Sequence, residues 1–312
     1  MPARIVSIAR EQTALIVLAI LVAVGGFTSP VFFSYQNFIN ILWIVSVLGI
    51  VALGQTILLI TGNFDMSVAY TVGLAGIVTV MAQISGLGLL LSILLGLGAG
   101  AIVGIVNGTI VAITGANPFL VTLGTSTLVY SVNLTITQAK TWYATIPGFA
   151  ILGQGKVFRS IQISVVLFLA LAMVLEFIIR RTPYGRSLYI IGLNQRAGAL
   201  SGIRTNRIKL STFVFCGITA AFAGLVMTSR TGSTVGNAGA GMDFESLIAA
   251  VLGGTSLFGG RGGTLRTVVG VLVLGVLDNL LILLNTPYEA QQVAKGAVFI
   301  LVVWIDSMGH RK

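Results

Sequence analysis

The stretch FINILWIVSVLGIVALGQTILLIT, residues 38–61, decides the fold of this chain. It runs for 24 residues without an aspartate, glutamate, lysine or arginine. A helix of that length is about 36 Å long, and about 20 apolar residues are enough to cross the hydrocarbon core of a bilayer. The stretch therefore predicts a membrane-spanning helix.

Nine further apolar runs flank this one. Of the 312 residues, 56% are hydrophobic and only 8% are charged, against about 25% charged in soluble domains. We therefore exclude an ordinary soluble globule and expect an all-α integral membrane protein forming a single domain, residues 1–312. The ten predicted spans are Gln12–Phe27, Phe38–Thr61, Met66–Ser85, Leu87–Ile113, Phe119–Gln138, Ile161–Ile179, Leu210–Ser229, Ser246–Phe258, Thr264–Leu284 and Ala290–Asp306. The eighth is short, and we expect a partial or broken helix there.

The basic residues indicate orientation. The net charge of +10 would suggest nucleic-acid binding in a polar chain, but here the lysines and arginines lie between apolar runs and follow membrane topology. With the N-terminus inside, 13 of the 18 fall on the inner side: Arg4, Arg10, Arg180, Arg181, Arg186, Arg196, Arg204, Arg207, Lys209, Arg261, Arg266, Arg311 and Lys312. Lys140, Lys156, Arg159 and Arg230 fall outside, and Lys295 lies within the last span. Both termini are therefore predicted to be cytoplasmic.

Two connections stand out between the spans. Residues 139–160 should form an external loop or short interfacial helix with aromatic anchors, Trp142 and Tyr143. Residues 180–209 form the one long, strongly basic stretch, which the same count places in the cytoplasm. Residues 63–67 also correspond to residues 241–246, each opening a helix from the opposite side. This pattern predicts an inverted repeat of five plus five helices.

The residue types limit the chemistry. The one Gly-Lys pair, Gly155 and Lys156, does not fit a phosphate-binding loop. With one cysteine, Cys216, and one histidine, His310, the chain has little material for a metal centre or a nucleophilic active site, so an integral-membrane enzyme is disfavoured. We expect no cofactor in this chain. The glycines at 96, 100, 104 and 108 recur every four residues and predict a helix-packing groove rather than a gate.

Polar residues within the spans are the candidates for a translocation pathway. They are Gln55, Asp65, Ser67, Asn107, Thr125, Asn133 and Asn279. For each of the uncharged ones, hydrogen bonding to a neighbouring helix is an equally good interpretation. Asp65 is also well placed to cap the helix that follows it.

Charged residues within the spans are few. Asp278 and Lys295 lie at equal depth and are predicted to pair, as are Glu176 and Arg180 at i,i+4 spacing. The scarcity of deep acids argues against proton coupling and suggests that energy is supplied by another subunit.

Three stretches resemble a known family. TGNFDMSV at 61–68, GLNQRAGALSGI at 192–203 and VLGGTSLFGG at 251–260 are similar to the permeases of bacterial ribose-type ABC importers, and the resemblance runs from about Thr28 to Asp306. It implies an inner-membrane permease acting with a second permease copy, identical or not, a cytoplasmic ATPase that binds ATP and magnesium, and a periplasmic sugar-binding protein. A secondary transporter or channel for a small polar solute is the alternative.

The resemblance also implies a coupling helix that docks on the ATPase. Its residues here would be Asn194, Gln195, Arg196, Ala197, Gly198, Ala199, Leu200, Ser201, Gly202 and Ile203. The residues themselves agree, since a short polar stretch closed by a glycine is typical of a small capped helix. Family members often carry an acidic residue and a small one where this chain has Gln195 and Arg196.

Overall fold

A computed structural model describes residues 2–157 and 160–308, which are mainly helical. Arg159, His310, Arg311 and Lys312 lie outside the described residues. The helices are α1 Pro2–Thr28, α2 Tyr35–Ile60, α3 Val68–Ile84, α4 Leu89–Thr114, α5 Pro118–Thr137, α6 Ile151–Gln154, α7 Ile163–Arg181, α8 Pro183–Leu193, α9 Gln195–Leu200, α10 Thr205–Thr231, α11 Met242–Leu252, α12 Thr264–Leu283 and α13 Tyr288–Met308. The strands are β1 Trp142–Tyr143, β2 Lys156–Val157, β3 Ile161–Gln162 and β4 Ser233–Thr234.

Several helices have the length and composition of membrane spans. Within the described residues, six are long and apolar enough to cross a bilayer, namely α2, α4, α5, α7, α10 and α12. Two shorter apolar helical stretches are Ala14–Thr28 and Val68–Ile84. The prediction of an all-α membrane protein is confirmed at this level.

The eighth predicted span differs from the helix that forms there. The helix α11 has 11 residues, about 16 Å, and begins four residues before Ser246. It ends at Leu252 because Gly253 packs on the start of α12, where an added Cβ would lie 2.4 Å from Arg266 O, and Gly254 adopts φ +93°. Residues 253–263 are irregular. A short helix was expected here, but the predicted end at Phe258 was wrong.

The glycine row on α4 packs against α10. A Cβ added to Gly100 would lie 2.3 Å from Gly217 O, and one added to Gly217 would lie 2.2 Å from Gly100 O. Gly104 lies equally close to the backbone of α10 at Phe213. The packing groove predicted from the four-residue spacing is therefore confirmed, and it brings two helix backbones into contact.

The two conspicuous connections lie at opposite ends of α10. This helix has 27 residues and is therefore about 40 Å long. It begins directly after α9, while β4, just beyond its other end, pairs antiparallel with β1 in the 139–160 segment. That segment is held to the bundle, because Gln83 Oε1 accepts hydrogen bonds from the N–H groups of Thr145 and Ile146. The α8–α9 end and the 139–160 end are thus distinct faces of the molecule.

Candidate functional site

The chain between α2 and α3, residues 61–67, is non-helical and mostly buried, apart from exposed Gly62 and half-buried Phe64. Gly62 ends α2 in the left-handed conformation, φ +75°, and the N–H groups of Gly62 and Asn63 donate to Leu59 O at 2.8 Å and Leu58 O at 3.1 Å. Gln55 pairs with the backbone of Asp65, donating to Asp65 O at 2.6 Å and accepting from Asp65 N at 3.1 Å. Irregular backbone at membrane depth needs such partners, since lipid offers none.

The Asp65 carboxylate is the centre of a polar cluster, which we define as Gln55, Asp65, Ser67 and Asn107. Asp65 Oδ1 accepts from Ser67 N at 2.7 Å and Ser67 Oγ at 2.6 Å, and Asp65 Oδ2 accepts from Asn107 Nδ2 at 3.1 Å. All four side chains are buried. Ser67 is the residue that precedes α3, so Asp65 satisfies the N–H just ahead of the helix and faces its positive end.

The other three pathway candidates lie elsewhere. Asn279 of α12 and Asn37 of α2 exchange two side-chain hydrogen bonds of 3.0 and 2.7 Å. Asn133 of α5 donates to Tyr70 O of α3 at 3.0 Å. Thr125 donates to Val121 O of its own helix at 3.1 Å. Six of the seven candidates are buried within the single chain, and Thr125 is half-buried. The roles of these residues in solute passage stay predictions.

The exposed face of α5 carries a row of hydroxyl groups that the sequence-based candidates missed. Thr127, Ser131 and Thr135 are exposed and each donates to the carbonyl four residues earlier, at 3.2, 2.9 and 2.9 Å. The exposed large side chains of α4 are leucine, isoleucine and valine, and α5 also exposes Leu128 and Val132 beside its hydroxyl row. The four-residue spacing in the sequence was the available signal. Each hydroxyl oxygen keeps a lone pair that can accept a hydrogen bond from a solute.

A short helix, α9, forms where the coupling helix is predicted and is capped at both ends. Its coupling role stays a prediction. Asn194 Oδ1 accepts from Ala197 N at 3.0 Å. At the other end, the N–H groups of Gly202 and Ile203 donate to Ala199 O at 3.0 Å and to Gly198 O at 3.1 Å, and Gly202 has φ +79°. This is the Schellman arrangement that a glycine after the last helical residue allows.

The surface of this segment suits docking rather than catalysis. Most of residues 194–203 are exposed, apart from buried Gly198 and half-buried Ile203. Leu200 is 90% exposed outside the apolar spans, so its side chain is available to a partner's surface. Arg196 adds a positive charge to an open groove that it lines together with Asn194, Gln195 and Ala199.

Charged side chains connect neighbouring helices at two places, one around Lys295 of α13 and one around Glu176 of α7. Lys295 Nζ lies 3.1 Å from Asp278 Oδ1, which confirms the predicted pair, and 2.7 Å from Glu245 Oε1, which was missed. Glu176 contacts Arg180 as predicted. Its other oxygen accepts from Thr264 N at 2.8 Å and caps the start of α12. Among the described residues, no three histidine, cysteine, aspartate or glutamate side chains are placed to hold a metal ion.

The three stretches that carry the family resemblance meet in space. Gly260, in the third stretch, donates its N–H to Ile60 O at 2.9 Å. Ile60 immediately precedes the first stretch, which begins at residue 61. Gly192, the first residue of the second stretch, packs directly on this bond. The start of the second stretch is therefore adjacent to both irregular segments, residues 61–67 and 253–263.

Comparison with known proteins gives consistent matches over nearly the whole chain. The model of the family described as branched-chain amino acid transport system / permease component matches residues 37–303. The chain is 35% identical over 291 residues to the ribose import permease of Bacillus subtilis, covering 93% of this chain and 90% of that protein. It is 34% identical over 307 residues to the ribose import permease of Haemophilus influenzae, covering 97% and 95%. It is 32% identical over 294 residues to the D-allose transport system permease protein of Escherichia coli, covering 94% and 90%. No solved structure matches the chain.

Proposed function

Because this chain belongs to the permease-component family of bacterial importers, we propose that it is the membrane-spanning permease subunit of an ABC importer for a monosaccharide or a related polyol or furanosyl solute. The family model is described in terms of amino acids, but the relatives named for ribose and allose match over 90% or more of both chains. That full-length similarity is the observation that carries the proposal. The chain is a multi-pass protein of the inner membrane.

The proposed topology has ten crossings, with both termini on the cytoplasmic side. The end of α2 contacts the end of α8, so α2 runs toward the coupling loop and α1 runs away from it. The start of α12 is capped by Glu176 near the same loop, so α12 runs away from it and α13 returns. Arg261 lies between Gly260, which is bonded to Ile60 O, and Thr264, whose N–H is capped by Glu176 of α7. Arg261 is therefore at this end too, in keeping with the positive-inside rule.

An inverted five-plus-five repeat is part of the same proposal. It is supported by equivalent packing, because α4 lies on α10 as α12 lies on α2, and α3 lies on α10 as α11 lies on α2. Glycines occupy matching places. A Cβ on Gly96 of α4 would lie 2.9 Å from Ala75 O of α3, and one on Gly270 of α12 would lie 1.9 Å from Ala249 O of α11.

The proposed complex contains two permease copies, cytoplasmic ATPase subunits that bind ATP and magnesium, and a periplasmic sugar-binding protein. In this scheme Leu200 and the rest of residues 194–203 dock on the ATPase. Closure of the ATPase subunits on ATP pulls the coupling helices and rocks the two bundles, so that the passage opens to the other side of the membrane. Sugar selectivity then lies mainly with the binding protein.

The proposed passage follows the exposed face of α5, between the two copies. Its hydroxyl row, Thr127, Ser131 and Thr135, suits a solute rich in O–H groups, and Leu128 and Val132 add apolar surface beside the row.

A cysteine introduced at Ser131 is expected to react with a membrane-impermeant thiol reagent in the assembled complex, and D-ribose or D-allose should slow the reaction several-fold. The native chain is a good background, since Cys216 is fully buried. The matched control is Leu94→Cys on the apolar face of α4, 53% exposed in the chain but expected to face lipid and stay unlabelled. Absence of labelling at position 131, in both the nucleotide-free and the ATP-bound complex, would contradict the proposal that the passage follows α5.

ATP dependence separates the proposed importer from a secondary transporter or channel. We expect an ATPase to copurify with the tagged chain, and uptake of radiolabelled D-ribose or D-allose to stop when cellular ATP is drained while the proton gradient is maintained. Deletion of the gene provides the background rate. Uptake that persists without ATP, and that collapses with the gradient or simply follows the solute gradient, would instead support the alternative class.

A further inference from the structure

The end of α8 is in direct backbone contact with two other segments. Gly260 N donates to Ile60 O, and a Cβ on Gly192 would lie 1.9 Å from Ile60 O and 2.5 Å from Gly260 N. Side chains essentially never approach backbone so closely, so only glycine fits between them. No flexible side chain separates α8 from these backbones.

Gly259 closes the contact from the other side. It has φ +87°, and an added Cβ would lie 2.9 Å from both Gly192 O and Gly62 N. Gly62 itself has φ +75°. We call Gly62, Gly192, Gly259 and Gly260 the glycine junction. The junction joins the end of α2 at Ile60 to the last turn of α8 and to the irregular 253–263 loop.

Side chains of α8 strengthen the same connection. Tyr189 Oη donates to Gly262 O at 2.9 Å, and burial raises the pKa of Tyr189, so the hydroxyl keeps its proton at neutral pH. Leu188 is fully buried and packs with Ile57 and Ile60 of α2. The 253–263 loop therefore contacts α8 through a side chain as well as through the glycine junction.

The junction lies between the coupling helix and the polar cluster. Along the chain, α9 begins three residues after Gly192, and Asp65 follows Gly62 by three residues. A rigid displacement of α8 cannot be absorbed by side-chain rotation at the junction, and close-packed contacts of this kind transmit movement rather than damp it. Both irregular membrane segments must then shift or the contacts must break.

We propose that Gly192 and Tyr189 are positioning residues for transport, which transmit the movement of the coupling helix to residues 61–67 and 253–263 and so to the polar cluster. This inference rests on the proposed function. A static brace that only holds α8 in place is the competing explanation. A brace predicts that weakening the contact lowers assembly, ATP hydrolysis and uptake together. A transmission element predicts that sugar moved per ATP hydrolysed falls while assembly and hydrolysis are kept.

Two tyrosines on α8 provide a matched pair for the test. Tyr189→Phe removes the hydrogen bond to the 253–263 loop, whereas Tyr184→Phe removes a similar one, 2.8 Å from Ser211 Oγ of α10. The complex is purified with its ATPase and binding protein and reconstituted in vesicles, and D-ribose uptake and ATP hydrolysis are measured together. We expect Tyr189→Phe to lower uptake per ATP at least threefold and Tyr184→Phe to leave it unchanged.

Gly192→Ala tests the junction itself and is expected to lower uptake per ATP at least tenfold while the ATPase stays bound. If that variant fails to assemble, the tyrosine pair decides the question. An unchanged ratio for Tyr189→Phe, or an equal fall for both tyrosine variants, would overturn the proposal. The proposed function fails separately, if the unmodified complex shows no ATP-driven uptake of either D-ribose or D-allose.

Discussion

Replacing Gly202 with proline is expected to abolish ATP-driven uptake while leaving the protein in the membrane. Gly202 has φ +79° and its N–H donates to Ala199 O at 3.0 Å. Proline fixes φ near −65° and has no N–H, so it can neither adopt this conformation nor make this hydrogen bond, and we expect a loss on the scale of the roughly 3 kcal/mol that proline costs inside a helix. A six-residue helix has almost no stability of its own, so its last turn should open. Each 1.4 kcal/mol is a factor of ten in population, so we expect at least a hundredfold loss of the docked form.

Uptake in cells, the level of protein in the membrane and the amount of copurified ATPase measure this effect. The control is Gly202→Asn, because asparagine tolerates the left-handed region and no atom lies within 4 Å of an added Cβ at this position. It should keep uptake within about threefold of the unmodified chain. Gly202→Ala should fall between the two, since it keeps the N–H but not the preferred φ. Normal uptake by the proline variant would show that α9 does not need its closed end.

Local patterns were sufficient for the features whose causes are local. Apolar runs predicted the long helices because length and composition alone decide whether a helix suits a bilayer. The glycine after α9 predicted its end, because few other residues adopt the conformation that the cap requires. The pairing of Asp278 with Lys295 followed from equal depth, which can be counted along two helices.

Features that depend on which helices are neighbours were not predictable. The members of the polar cluster lie on α2, on α4 and in residues 61–67 between α2 and α3. No spacing in the sequence indicates that Gln55 pairs with the backbone of Asp65. Glu245 was missed as a partner of Lys295 because the prediction started the eighth span one residue too late to include it. The glycine junction brings together residues nearly 200 positions apart, and each glycine taken alone resembles an ordinary turn.

The polar residues predicted to line a pathway show why polarity alone does not assign a role. Being polar within a span is expected both of a solute contact and of a bond that holds irregular backbone in lipid. Gln55 and Thr122 supply such bonds at residues 65 and 66, and Asn279 bonds Asn37 across two helices. Polarity in the sequence cannot separate the two roles, and the exposure of each side chain, which bears on both, requires the fold.

Replacing Gly100 with leucine is expected to reduce the protein in the membrane to less than a tenth of its normal level. An added Cβ would lie 2.3 Å from Gly217 O and 2.5 Å from Ala221 Cβ, so α4 and α10 must separate to accept the side chain. Even extra methylenes in a packed core cost about 1–3 kcal/mol, and within a bilayer close packing is a main source of helix association. Quantitative immunoblots of membranes, and the elution profile in detergent, measure the loss.

Gly98→Leu is the control that isolates packing from composition. Gly98 lies two residues away on the same helix but off the row, and nothing lies within 4 Å of an added Cβ. It changes the hydropathy of α4 by the same amount and leaves its length unchanged, so any effect on insertion should be shared by both variants. Gly98→Leu should therefore be present at its normal level and transport normally. If the glycine row served gating instead, Gly100→Leu would be present at normal levels with transport altered. A normal level of Gly100→Leu would thus reject the packing role, whereas loss of that variant alone would show that the contact between the two backbones holds the bundle together.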